Sequence, residues 1–183
     1  MAEQYGKELA IAVERAMKEP GEELRASLIT SYNEITLDIA PPPGDEELDE
    51  AIENGAEWQQ RWAIKTKEKI DSGVELPSFY PHYPIQSWQL GDQTLVALGG
   101  EVVVDYALRL RKILGNDLIL MGYANDVMAY IPSERILNEG AYEGKISMWV
   151  YGHSGTWVTG IEEKVINEVV RQVKMVRNEA TRR

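Results

Sequence analysis

Thr94–Gly115 reads TLVALGGEVVVDYALRLRKILG, and Asp117–Ser133 reads DLILMGYANDVMAYIPS. Each begins as an apolar strand that runs into a turn. In the first, Gly99-Gly100 leads into an apparent helix with Glu101 as its first residue, ending near Leu114 at Gly115-Asn116, where a helix should stop. In the second, a strand over 118–123 meets a polar turn at Asn125-Asp126, with Tyr130 just ahead of Ile131-Pro132. Ligand sites in α/β folds gather where strands end and helices begin. These two units therefore decide which fold to expect and where a site would lie in it.

Upstream, YPIQSWQLG and TLVALGG are joined at Gly91-Asp92, a pair suited to a hairpin turn. LPSFYPHYP, residues 76–84, reads as an aromatic and proline-rich loop. In residues 27–39, Leu28, Thr30 and Tyr32 share one parity and Ile35, Leu37 and Ile39 the other, which predicts a long strand bulged near Asn33 or Glu34. Pro41-Pro42-Pro43 is a rigid connector into a long polar helix. That helix is capped by Asp45, runs to about Asp71, and has Ile52, Trp58, Trp62 and Ile64 as candidate buried anchors.

At the amino terminus, Leu9, Ala12, Val13, Ala16 and Met17 form a helical stripe within residues 5–18. Beyond Tyr130 the pattern predicts a short helix over 133–138 and a strand over 145–151. A final helix from Ile161 to about Arg177 carries Val165, Val169, Val173 and Val176 on one stripe. The expectation is an α+β chain, a mixed sheet with flanking helices, with residues 1–183 forming one domain.

At 183 residues and 44% hydrophobic content, the chain can bury a core. Its net charge of −11 argues against nucleic acid and against electrostatic docking on anionic lipid. The acids crowded between Asp45 and Glu57 read as a solvated helix face, lacking the ligand alternation and central glycine of a calcium loop. There are no cysteines, which excludes thiolate zinc sites and a cysteine nucleophile. No run approaches a membrane span, and the charged amino-terminal helix is not a signal peptide. The sequence as written would stay in the cytoplasm.

Glu101 is the first candidate for chemistry. A carboxylate at a helix amino terminus is held as the anion and could ligate a metal; equally, it could only cap the helix. Tyr130 reads as a core ring with a bonded hydroxyl or as a metal ligand. His82 and His153 stand far apart, and no HExxH helix is present. His153, in the glycine-flanked YGHSGTW, reads as a surface-loop residue or a substrate contact. No serine stands in a nucleophile-elbow pattern.

The segments PIQSWQLGDQTLVALGGEVVVDYALRLRK, GYANDVMAYIPSERIL and YEGKISMWVYG together resemble the distal part of the catalytic domain of neutral/alkaline non-lysosomal ceramidases, in that family's order and spacing. The resemblance extends over nearly the whole chain. It implies that Glu101, in GGEV, and Tyr130, in NDVMAY, are two ligands of a zinc ion, and that Tyr142, in YEG, helps hold an oxyanion. It also marks what is missing: the two zinc histidines of a THxHS-like segment, the serine regarded as the nucleophile, and the carboxy-terminal immunoglobulin-like domain.

The chain then reads as the carboxy-terminal portion of a larger zinc-hydrolase catalytic domain. Complete, that enzyme would cleave the N-acyl amide of ceramide or a related lipid, and this chain alone would be inactive. Family members are commonly exported, so localisation stays open. The alternatives are a separately encoded subunit pairing with a chain that carries the histidines, or a non-catalytic binding or scaffold domain. The aromatic loop at 76–84 and the Trp-bearing helix would be the surfaces covering such a partner.

Overall fold

The structure is a computed structural model that describes residues 1–182. In chain order its elements are α1 (Ala2–Lys18), β1 (Leu28–Asp38), α2 (Asp45–Asn54), α3 (Glu57–Asp71), β2 (Phe79–Leu90), β3 (Gln93–Leu98) and β4 (Glu101–Val102). There follow α4 (Val104–Leu114), β5 (Ile119–Met121), β6 (Tyr130–Ile131), α5 (Glu134–Glu139), a π-turn over Tyr142–Ile146, α6 (Ser147–Val150) and α7 (Ile161–Ala180).

Four strands form a sheet in the order β1-β2-β3-β5, with the first two pairings antiparallel and β3 parallel to β5. The two-residue turn Gly91-Asp92 closes the β2–β3 hairpin, with Gly91 at a φ of 56° that favours glycine. The parallel partner is reached through α4, the crossover that a parallel pair requires. Helix α7 packs on β1, β2 and β3 with Val165, Val169, Val173 and Val176 fully buried. Burying each valine is worth roughly 1.5–3 kcal/mol as an upper figure. That packing outweighs the low helix propensity of so many β-branched residues. The fold is α+β with a mixed sheet flanked by helices, as expected.

Several elements differ from the sequence reading. β1 keeps one parity throughout: Ile29, Ser31 and Leu37 are buried, while Leu28, Thr30 and Tyr32 face outward. The bulge lies in its partner instead. Ile35 pairs with Tyr83 and Leu37 with Tyr80, so Pro81 and His82 together oppose Thr36. The outward Leu28 and Tyr32 imitated a change of parity.

The expected loop at 76–84 is strand from Phe79 onward. It tolerates its prolines because Pro81 sits in the bulge and Pro84 lies where β3 has ended. The Pro84 carbonyl accepts from Gly99 N–H at 3.2 Å, so the missing donor faces that open end.

The expected long helix is two, broken at Gly55-Ala56, where a Cβ on Gly55 would sit 2.4 Å from the Ala51 carbonyl oxygen. Gln59 Oε1 accepts from Ala56 N–H at 2.8 Å and starts the second helix. Gly44, not Asp45, is the cap of α2. Leu48 and Trp62 are the buried anchors, Ile52 and Trp58 are half-buried, and Ile64 is exposed.

The expected strand at 145–151 is the end of the π-turn followed by α6. Ser147, Met148 and Trp149 are buried consecutively, and a short apolar run cannot by itself separate the two conformations. α1 forms as expected, yet its stripe is uncovered: none of its residues is buried.

Candidate functional site

The site begins with two glycines. Gly100 has φ of 75°, and a Cβ there would lie 2.6 Å from Ile131 Cγ1 and 2.8 Å from the Ala129 carbonyl oxygen. A Cβ on Gly99 would meet the Pro84 ring at 2.9 Å. Gly99 thus lets β2 come close, and the close approach that Gly100 permits is that of β6 against β4. Glu101 and Tyr130 become direct partners in a parallel pair, with Glu101 N–H donating to the Ala129 carbonyl at 2.8 Å. Tyr83, fully buried, donates its hydroxyl to the Gly99 carbonyl at 3.0 Å and fixes the turn from below.

Glu101 is consequently not the first residue of a helix. It lies in β4, and α4 starts at Val104 with Val103 as its cap and no side-chain capping bond. In place of a helix terminus, the Glu101 carboxylate has phenols around it. The Tyr130 and Tyr123 phenols lie beside it, close enough for their titration to be coupled to it. Hydrogen bonding to Glu101, followed by desolvation, pushes the Tyr123 phenol up to about 12 and raises that of Tyr130 well above the ordinary tyrosine value. Tyr142, on the π-turn, meets the Tyr130 ring edge-on, centroids 5.6 Å apart at 76°. Glu101, Tyr130 and Tyr142, the three residues singled out by sequence, thus come together at one surface spot.

Tyr123 was missed in the sequence reading. Its place in GYAND, a bulky phenol in a polar turn, is the one local sign of it. Its backbone conformation is the stronger sign and is invisible in sequence. Among the described residues the non-glycine positive-φ positions are Tyr123 (54°), Asn125 (70°) and Ala141 (52°). The first belongs to the site, the second shares its turn, and the third immediately precedes Tyr142. Such strain persists only where surrounding structure over-determines it, and it collects at functional sites. Here the turn is held by Tyr123 N–H to the Gly100 carbonyl (2.9 Å), Ala124 N–H to the Leu98 carbonyl (3.1 Å) and Gly100 N–H to the Asp126 carbonyl (2.8 Å). Asn125-Asp126 is the polar turn expected: Asp126 accepts from Val127 N–H at 2.7 Å and from the Tyr80 hydroxyl.

Neither histidine joins this group. His82 is exposed and pairs with Glu34 at 2.8 Å. His153 directs Nε2 to the Met128 carbonyl at 3.0 Å, with its ring beside Tyr80 and Trp157, while its own carbonyl accepts from Trp62 Nε1 at 2.8 Å. It is a packing residue. Zinc takes four ligands in a structural site and three protein ligands in a catalytic one. Glu101 and Tyr130 supply two oxygens. Among the described residues, no group of three or more His, Cys, Asp or Glu could hold a metal ion. The residues present do not complete a zinc site. As it stands, the arrangement offers a carboxylate flanked by two phenols and a third phenol, Tyr142, exposed beside them.

The fold has a solved counterpart. The chain is similar to a neutral ceramidase from Pseudomonas aeruginosa, with a TM-score of 0.52 and 16% sequence identity over 86% of this chain and 30% of that one. At that identity the likeness is one of fold, a distant structural relationship, and the chain spans under a third of the ceramidase's length. No protein-family model matches the sequence, and no curated protein does. Among the described residues, no helix is long and apolar enough to cross a membrane.

Proposed function

We propose that this chain is one part of a ceramidase-like amide hydrolase, with Glu101, Tyr123, Tyr130 and Tyr142 forming one wall of its catalytic site. The observation that carries the reading is the convergence of Glu101, Tyr130 and Tyr142, residues 41 positions apart at their extremes (142 − 101), on the β4–β6 edge. The role proposed for Tyr142 is to donate its hydroxyl to the oxyanion of a tetrahedral intermediate. Removing one such donor typically costs about 3–4 kcal/mol of transition-state stabilisation. Glu101 and Tyr130 are proposed as two of the ligands of a zinc ion whose remaining ligands come from outside this chain. The substrate class is a long-chain N-acyl amide such as ceramide.

The test is calorimetric titration of zinc into the purified chain, with and without imidazole to stand in for the absent nitrogen ligands. Weak binding that imidazole strengthens, and that Glu101→Ala and Tyr130→Phe both abolish, is the expected result. Affinity indifferent to both substitutions would overturn the assignment. So would measurable N-acyl hydrolysis by the chain alone in the Glu101→Ala background.

A second reading is that the rest of the site arrives on a separate chain. The surfaces expected to cover such a partner are used internally: residues 79–84 are strand, and Trp62 stacks on Trp149 at 4.3 Å. What favours a partner is the sheet face turned away from α7, where Leu28, Tyr32, Leu90 and Ile119 are exposed. Co-purification of a histidine-bearing polypeptide that restores hydrolysis would support this reading. A stable, inactive monomer under every such combination would count against it.

A further inference from the structure

The groove between α3 and α6 is unlike the rest of the surface. It encloses about 360 Å³ and is lined by Trp58, Trp62 and Trp149 together with Arg61, Lys65 and Lys69, with no acidic residue in its wall. The chain carries 30 acids against 19 lysines and arginines, so a purely basic lining runs against its overall charge. The contrast is local as well. Trp62 and Trp149, stacked at 4.3 Å and 20°, form a partition, and the groove on their other side is lined by Glu47 and Glu50.

Arg61, Lys65 and Lys69 recur every four residues along one face of α3, where like charges repel. Arg61 is neutralised by Glu57, and the neighbouring Lys67 by Asp49. Lys65 and Lys69 have no ion pair among the described residues. At the same stack Trp149 Nε1 is buried without a hydrogen-bond partner. Clefts of roughly 300–1,000 Å³ with apolar walls and a few convergent polar groups are the size and kind that hold small ligands.

We propose that this groove binds an amphipathic anion, with its apolar body against the indoles and its carboxylate or phosphate head between Lys65 and Lys69. The site is separate from the β4–β6 edge and does not depend on any role for it. The indoles supply apolar surface and a polarisable face, and the two unpaired ammonium groups supply the charge that discriminates an anion from its neutral counterpart.

The test is calorimetric titration of the whole chain with decanoate and with phenyl phosphate, each beside its neutral counterpart, decanol or phenol. At least one anion is expected to bind with one-to-one stoichiometry, at least tenfold more tightly than its neutral partner. Which one binds separates an alkyl carboxylate from an aryl phosphate. Lys65→Glu combined with Lys69→Glu should erase that preference; both side chains are exposed, so the substitutions leave the core intact. Trp58→Ala should weaken anion and neutral compound alike, and raised salt should shrink the preference between them. Failure of both anions to bind, equal binding of the neutral compounds, or an unchanged preference in the double variant would each overturn the proposal.

Discussion

The α7 face of the sheet and the β4–β6 edge both join distant parts of the chain, and they do so by opposite means. Under α7, fully buried valines meet Ile85, Val96 and Leu98, and several polar groups there are bonded, although Ser87 Oγ and Gln172 Oε1 are buried without a hydrogen-bond partner. Gln172 Nε2 donates to the Ile85 carbonyl at 3.0 Å, Arg177 donates to the Leu114 carbonyl at 2.8 Å, and Glu168 accepts from Asn33 at 3.0 Å and from Arg171. At the β4–β6 edge the strands are two residues long, the backbone enters positive φ, and phenols crowd an acid at the surface. One region maximises burial in relaxed geometry. The other spends conformational strain to hold exposed polar groups together. Stability should therefore reside in the first region and chemistry in the second, and substitutions can separate them.

The largest effect should come from the packed side. Leu110→Ala, at a fully buried position on α4, should cost about 2–5 kcal/mol in denaturant unfolding while leaving the phenols of the edge unaltered. Next, Gly100→Ala should affect both regions at once. With φ at 75° and Ile131 in the way, it should lose about 2 kcal/mol and bring the Tyr130 phenol back toward its ordinary titration, as read by phenolate absorbance. A loss of stability without that shift would mean that the glycine serves packing alone.

Glu168 offers a pH test of the α7 face. Hydrogen bonding from Arg171, and then from Gln172 and Asn33, lowers its carboxyl from 4.5 to about 2 despite desolvation. A depressed folded-state value contributes stability that is present above about 4.5 and lost as pH falls through about 2. Glu168→Gln should therefore cost about 2 kcal/mol at neutral pH and flatten the acid limb of stability between those two values. An unchanged limb would show that the acid dependence arises elsewhere.

The smallest stability effect, and the most specific signal, should be that of Glu101→Ala. Unfolding should move by no more than about 0.5 kcal/mol. The Tyr123 phenol, pushed up to about 12, should titrate closer to 10. The sign follows from the raised folded-state value: its contribution is complete below 10 and lost as pH rises through about 12, so the variant should lack that alkaline component. A large stability loss from this substitution would erase the contrast between the two regions.

Much of the packed region was legible in the sequence. The valine stripe of α7, the hairpin at Gly91-Asp92, the strand at 28–38 and the helix ending at Gly115 follow from hydrophobic period and turn chemistry, which are local. The helix break at Gly55-Ala56 was set locally, but the other misreadings share one cause: a neighbour far along the chain decided the outcome. Phe79–Pro84 is strand because β1 pairs with it, Ser147–Val150 is helical because Trp149 must reach Trp62, and the parity on β1 was set by which face α7 covers.

For the site, residue type and place in the sequence singled out Glu101, a carboxylate after Gly-Gly, whereas Tyr130 and Tyr142 were marked by the resemblance that NDVMAY and YEG carry. The sequence could not supply their relation. That Glu101 lies in a strand beside Tyr130, that the Gly100 conformation admits Ile131, and that Tyr123 takes a positive φ beside Glu101 were decided by the tertiary structure alone. Backbone strain and close approach are properties of two segments in contact, and a single stretch of sequence does not encode the second.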